Sequence, residues 1–212
     1  MTGRATSGPD PPAPVPEVHL MPLDLLVVFG SVRRDRKGIG LARFLAQAIR
    51  DRGHAATLVD PMEDQLPLLD RMYKEYPKGE APEVLERLAG QIRAADGIVV
   101  VSAEYNHSIP PALSNLLDHF LEEYAWKPSA IACYSAGPFG GVRAAMQLRM
   151  MLGELGMTSI PSLLPVPKVQ DAFYDNGLPK DEAYRKRAAR FLGELEWYAG
   201  ALQAARAGGV PD

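Results

Sequence analysis

Short runs that are apolar at nearly every position alternate along the chain with longer segments whose apolar residues recur at helical spacing. "LDLLVVFG" (23–30), "AATLVD" (55–60), "DGIVVVSAE" (96–104), "SAIACYSA" (129–136) and "TSIPSLLPV" (158–166) are the short runs. The continuously apolar ones lack a polar face and predict strands covered on both sides. Between them, Leu41, Leu45, Ala48 and Ile49 share one helical face, as do Val84, Leu85, Leu88 and Ile92. Leu113, Leu116, Leu117, Phe120 and Leu121 continue the pattern behind Pro110 and Pro111, two residues compatible with a helix start. "GGVRAAMQLRMMLGEL" (140–155) and "EAYRKRAARFLGELEWYAGALQAAR" (182–206) supply the fourth and fifth helices. Segment 61–82 is read as a variable connection.

Five such βα units predict an α/β three-layer sandwich with a parallel sheet, right-handed crossovers and helices on both faces. The expected strand order is 2-1-3-4-5. Ligands then bind beyond the carboxyl ends of the strands, at the switch point between the first and third.

The chain of 212 residues suits one domain, expected over residues 22–207 with a short C-terminal tail at 208–212. The opening "MTGRATSGPDPPAPVPEVHLM" (1–21) is rich in Pro, Gly and Ser without a periodic apolar face, and is expected to be a flexible tail. With 23 Lys and Arg against 26 Asp and Glu, the net charge of -3 gives no general reason to bind nucleic acid or a membrane. No apolar stretch approaches the roughly 20 residues that span a bilayer. The single cysteine, Cys133, forms no intramolecular disulfide and suits a reducing compartment, so a cytoplasmic protein is expected. His54 and His119 show no metal-ligand spacing, and no metal is expected.

Three loops should converge at the switch point. "GSVRRDRKG" (30–38) joins a serine hydroxyl to Arg33, Arg34, Arg36 and Lys37 at a helix start, where free N–H groups and the macrodipole favour an anion. It has neither a Walker ending nor a complete dinucleotide fingerprint, and alone it reads equally well as a solvated basic turn. "AEYNHSIP" (103–110) offers a planar aromatic, an amide and backbone groups suited to a flat heteroaromatic ring, with Ser108 as the expected N-cap of the next helix. "SAGPFGG" (135–141) carries glycines that permit close backbone approach.

In order and spacing, "GSVRRDR", "AEYNHSIPPALSNLLDHF" and "SAGPFGGVRAAMQLRMML" resemble the three signatures of the NADPH-dependent FMN reductase family. The resemblance extends from about Leu25 to Leu164 and implies a flavodoxin-like fold. It implies FMN bound non-covalently and NADPH or NADH as co-substrate. Electrons would pass to a flavin, quinone or other small acceptor. The cofactor-binding positions carried over are Ser31, Arg33, Arg36, Gly38, Ala103, Glu104, Tyr105, Asn106, Ser135, Gly137 and Gly140, with no catalytic side chain because the flavin carries the chemistry. Arg36 stands where the family pattern has serine, and Ala103 where it has proline. The resemblance also implies a homodimer, with room for further pairing into a homotetramer, and Met146, Met150, Met151, Met157, Phe120 and Tyr124 are the surplus apolar residues expected to form its surface. A flavodoxin-type electron carrier or a non-catalytic flavin sensor is the alternative reading.

Overall fold

The computed structural model describes residues 21–211, so the expected N-terminal tail lies, Met21 apart, outside the described residues. Strands β1 (Asp24–Phe29), β2 (Ala55–Val59), β3 (Gly97–Ala103), β4 (Pro128–Tyr134) and β5 (Thr158–Val166) form one parallel sheet in the order β2-β1-β3-β4-β5. The helices are α1 (Ile39–Asp51), α2 (Pro61–Asp64), α3 (Glu83–Ala94), α4 (Pro111–Asp118), α5 (Val142–Glu154), α6 (Val169–Ala172) and α7 (Ala183–Ala207). This is the flavodoxin-like order that the alternation of runs predicts.

The period-2 geometry of a strand explains why the strands of the middle of the sheet read as unbroken apolar runs. In β1, Leu25, Val27 and Phe29 face a core shared with α1 and α7, while Leu26 and Val28 face a second core under α3, α4 and α5. Cys133 sits in that second core, where burial pushes its thiol up to about 12 and leaves it an inert packing group.

Three local features differ from the sequence expectations. Segment 61–82 holds the helical turn α2, capped by the Asp60 carboxylate, and a 3₁₀ turn at Tyr73–Glu75. Helix α4 stops at Asp118, ahead of Phe120 and Leu121. Phe120 and Tyr124 then drop into the core in edge-to-face contact, fully buried, and Met157 is buried as well. The surplus apolar surface therefore shrinks to α5, where Met146 and Met150 are 47% and 71% exposed.

The outer strand β5 is shielded against further pairing. Pro161 and Pro165 remove two N–H donors, the register slips around residues 160–162, and Arg149 donates to the carbonyls of Ile160 (3.0 Å) and Pro161 (2.6 Å).

Helix α3 ends at a buried cation. The Lys127 ammonium, 5% exposed, donates to the carbonyls of Ile92, Arg93 (2.8 Å) and Glu123 (3.1 Å), satisfying acceptors that the helix end leaves open. Burial, aided by the charge of Arg206, lowers its pKa to about 8. A folded pKa below the unfolded value of about 10.4 means that the unfolded chain holds the extra proton between these limits, so this residue makes stability rise with pH across that window. Lys127→Met should abolish that rise in urea denaturation series and, by stranding buried carbonyls, should cost about 1–3 kcal/mol at pH 7.

Candidate functional site

The three central strands, β1, β3 and β4, end side by side at the carboxyl end of the sheet, and their following loops build a cleft of about 140 Å³. Ser31, Arg33, Arg36, Ala103, Glu104, Tyr105 and Ser135 line it, together with Asp35, Lys37, Tyr134, Ala136, Val169 and Gln170. Of the positions singled out from sequence, Gly38, Asn106, Gly137 and Gly140 shape the loops without forming its wall.

The loop after β1 brings its hydroxyl and its cations to different partners. Ser31 is 2% exposed, and its Oγ lies 2.6 Å from the Tyr105 hydroxyl. Arg33 rests over the Tyr105 ring, 5.8 Å from its centroid. Arg36 pairs with the buried Asp60 carboxylate and lies over Phe29, so its guanidinium is anchored toward β2 and is not a free bidentate donor. Lys37 pairs with exposed Asp35 at 3.4 Å. Among the described residues, Arg33 is thus the one cation of the cleft wall without a carboxylate partner. Behind it, α1 starts after its N-cap Gly38 with no side-chain cap and no acid in its first turn; the Ile39 amide meets the Arg36 carbonyl at 3.1 Å, and the next first-turn N–H groups are left to an anion. Gly38 is set flush against the Tyr134 ring, where a Cβ would fall 2.1 Å from Cζ.

The loop after β3 is a two-residue hairpin turn. Tyr105 and Ser108 exchange backbone hydrogen bonds of 3.0 and 2.9 Å, and both central residues, Asn106 and His107, have positive φ (50° and 65°), as in a type I′ turn. Asn and His are among the side chains that tolerate this region best. The Tyr105 amide is satisfied inside the turn, and His107 is exposed. Ser108 does not cap α4; its hydroxyl donates to Gln147 Oε1 (2.8 Å), while Gln147 donates back to the His107 carbonyl (3.0 Å), so α5 clamps the turn from outside.

Glu104 binds this loop to the next. Its carboxylate is 4% exposed and accepts from the Arg143 amide (3.0 Å), the Ala144 amide (3.4 Å) and Arg143 Nε (2.8 Å). The acid is therefore turned to the start of α5. Burial opposes its ionisation, but the Arg143 guanidinium and the two amides outweigh it and hold the carboxyl below the ordinary glutamate range. The loop after β4 is closed by Ser135, which donates to the Gly137 carbonyl and accepts from the Gly140 amide, both at 2.9 Å. Gly141 starts α5 at φ 82°, with Tyr134 backbone atoms 2.6 and 2.7 Å from any added Cβ, so only glycine fits there.

Tyr134 had no motif to mark it. It ends β4 as a bulky aromatic, and burial, with the Tyr105 phenol beside it, pushes its own phenol upward despite the opposing influence of Ser31, Arg36 and Arg33. Val169 and Gln170 come from the segment after β5, far along the sequence, and only the topology brings them in. Among the described residues no cluster of three or more His, Cys, Asp or Glu could hold a metal ion.

A family model described as NADPH-dependent FMN reductase matches residues 23–171. A quinone reductase of Escherichia coli (strain K12) is 33% identical over 134 residues, which are 61% of this chain and 69% of that protein. A 2-hydroxy-1,4-benzoquinone reductase of Burkholderia sp is 36% identical over 138 residues, 61% of this chain and 69% of that one. Among solved structures, FerB, a flavoenzyme NAD(P)H:(acceptor) oxidoreductase from Paracoccus denitrificans, superposes with a TM-score of 0.64 at 23% identity. The superposition covers 86% of this chain and 98% of FerB, a likeness of fold.

Glu104→Gln should test the clamp. Loss of the charged acceptor should cost about 1.5–3 kcal/mol at pH 7. Because the folded pKa is depressed, the carboxylate's contribution is present above the unfolded pKa and is lost as pH falls through the folded one. Wild type should therefore lose stability more steeply than the variant below the ordinary glutamate range, as read by denaturant midpoints across pH. Parallel pH profiles would contradict the clamp.

Proposed function

The chain belongs to the NADPH-dependent FMN reductase family, and from that premise we propose that it is an FMN-dependent oxidoreductase that passes electrons from NADPH or NADH to a quinone or other small acceptor. The observation that carries this reading is the unpaired Arg33 guanidinium beside the Ser31 hydroxyl and the uncapped start of α1. A cationic side chain, a hydroxyl and open helix amides together are the donor set for one terminal phosphate, and FMN fits them. FMN, when bound, supplies the two-electron chemistry between nicotinamide and acceptor.

The protein's own groups bind and orient. Ser31 and Arg33 would hold the phosphate, with Arg36 held back by Asp60 as a support of the loop. The Tyr105–Ser108 turn and the segment Ser135–Gly140 would bound the ring system, the first locked by Gln147 and the second by the Ser135 hydroxyl. No side chain is assigned a nucleophilic or proton-transferring role. A cleft of about 140 Å³ is small for a cofactor of this size, since ligand sites usually offer about 300–1,000 Å³, so much of the ring would project toward the loops' rim. A second subunit over that rim would complete the enclosure.

We assign that second subunit to another copy of the chain. Met146 and Met150, one turn apart on α5, and Phe139 in the adjoining loop, 61% exposed, offer apolar side chains to solvent. Such side chains suit a two-fold contact and support a homodimer, able to pair again into a tetramer. A cytoplasmic location accords with the lone buried cysteine; among the described residues no helix is long and apolar enough to cross a membrane.

Two experiments test these assignments. Arg33→Ala should weaken FMN about ten- to a hundredfold and riboflavin little, in fluorescence titrations, since a charge-assisted contact contributes about 1.5–3 kcal/mol. Equal losses for the two flavins would remove Arg33 from the phosphate site. Met150→Lys should split the assembly in light scattering at micromolar concentration and loosen FMN while the subunit stays folded; a wild type that is monomeric there would refute the dimer.

A further inference from the structure

The cleft does not end at Lys37. That residue and Gln170 form a shared wall with a second hollow of about 210 Å³, whose other sides are Phe173, Tyr174, Asp175 and Lys180. The two spaces adjoin across Lys37 and Gln170.

The far hollow is presented by a braced segment. Phe173 is buried and packs against Phe44 at 5.2 Å and Tyr184 at 4.9 Å between ring centroids. Tyr174 and Leu178 are joined by a backbone hydrogen bond of 2.9 Å, the Lys180 amide reaches the Ala172 carbonyl at 2.9 Å, and Arg43 on α1 holds the Asp175 carbonyl at 2.8 Å. On this frame the Tyr174 ring stays 56% exposed. The Lys180 ammonium lies 5.1 Å from its centroid and reaches the Gln170 carbonyl at 3.3 Å. The Lys180 ammonium thus covers one face of the exposed Tyr174 ring, and Lys37, ion-paired with exposed Asp35, lines the same hollow. Among the described residues the Asp175 carboxylate has no hydrogen-bond or ion-pair partner, which leaves it to accept from a sugar hydroxyl or an exocyclic amine.

We propose that this hollow binds an adenosine phosphate moiety, with the base against Tyr174 and the phosphate between Lys37 and Lys180. Cations alone would suit any anion; the exposed Tyr174 ring beside them narrows the choice to an anion carrying a flat base, for which stacking on a side chain is a strong and sequence-independent contact. The wall it shares with the first cleft places such a moiety beside a flavin bound there. The same chemistry occurs in the adenosine half of FAD and in the 2′-phosphorylated adenosine of NADPH. The inference rests on the reading of the Arg33 end as the FMN phosphate site.

The test uses Lys180→Ala and Tyr174→Leu, two exposed positions outside the first cleft. In one arm the flavin-free full-length chain is titrated with FMN and with FAD; in the other, the FMN-loaded protein is titrated calorimetrically with adenosine 2′,5′-bisphosphate. Wild type should bind in at least one arm, and both variants should weaken that binding about tenfold while leaving FMN affinity unchanged. Weakening of FAD assigns the hollow to the flavin's own adenosine; weakening of the bisphosphate assigns it to the pyridine nucleotide. Intact FMN binding with neither FAD nor bisphosphate affected by the variants overturns the adenosine site alone. Failure of wild type to bind FMN overturns the flavin reading instead.

Discussion

The site's architecture hangs on one buried carboxylate. Glu104 closes β3, and by accepting two amides and a guanidinium at the start of α5 it locks the loop after β3 to the loop after β4. The energetics of such a group are asymmetric: a buried carboxylate is costly to bring out of water, and stable only with a full set of donors. Arg143 supplies both a main-chain and a side-chain donor, so the start of α5 has little freedom to shift while Glu104 is charged. Gly141 tightens the same junction, since its backbone touches Tyr134 at a distance no side chain permits. The Gln147 clamp on the Tyr105–Ser108 turn then follows from α5 having been placed.

The same bookkeeping of charge shapes what the cleft can bind. Each acid near the wall is matched: Asp60 by Arg36, Glu104 by Arg143, Asp35 by Lys37. The pairings leave the Arg33 guanidinium beside an uncapped helix start, a local excess of positive charge on a chain whose net charge is -3. Burying Arg36 against Asp60 and Phe29 also fixes the loop's far end to β2 and α2, so the loop carrying Ser31 is fastened at both ends.

The sheet was legible because its strands are covered on both faces: unbroken apolar runs at β1, β3 and β4 have few other interpretations, and the helical stripes between them left few alternatives for the order. The three loops were legible as motifs, though not in the roles of individual atoms. Glu104 reads in sequence as a cofactor-binding position, yet its partner Arg143 is 39 residues away and visible only once β3 and β4 lie together. Arg36 reads as a phosphate ligand because nothing local reveals Asp60 at the end of β2, the strand next to β1 in the sheet. Ser108 has the chemistry of a helix cap, but the turn made by Asn106 and His107 aims its hydroxyl at α5. Phe120 and Tyr124 look like an extension of the α4 stripe, and a break after Asp118 lets both be buried. In each case a long-range contact sets what the local sequence leaves open.

The central claim is that the cleft holds an FMN that accepts electrons from a nicotinamide. The most direct measurement is the visible spectrum of the FMN-loaded protein under anaerobic conditions, before and after one equivalent of NADPH or NADH. The account predicts that at least one of the two bleaches the flavin absorbance, and that a quinone then restores it. A spectrum unchanged by both nucleotides would contradict it and leave a flavin carrier or sensor in its place.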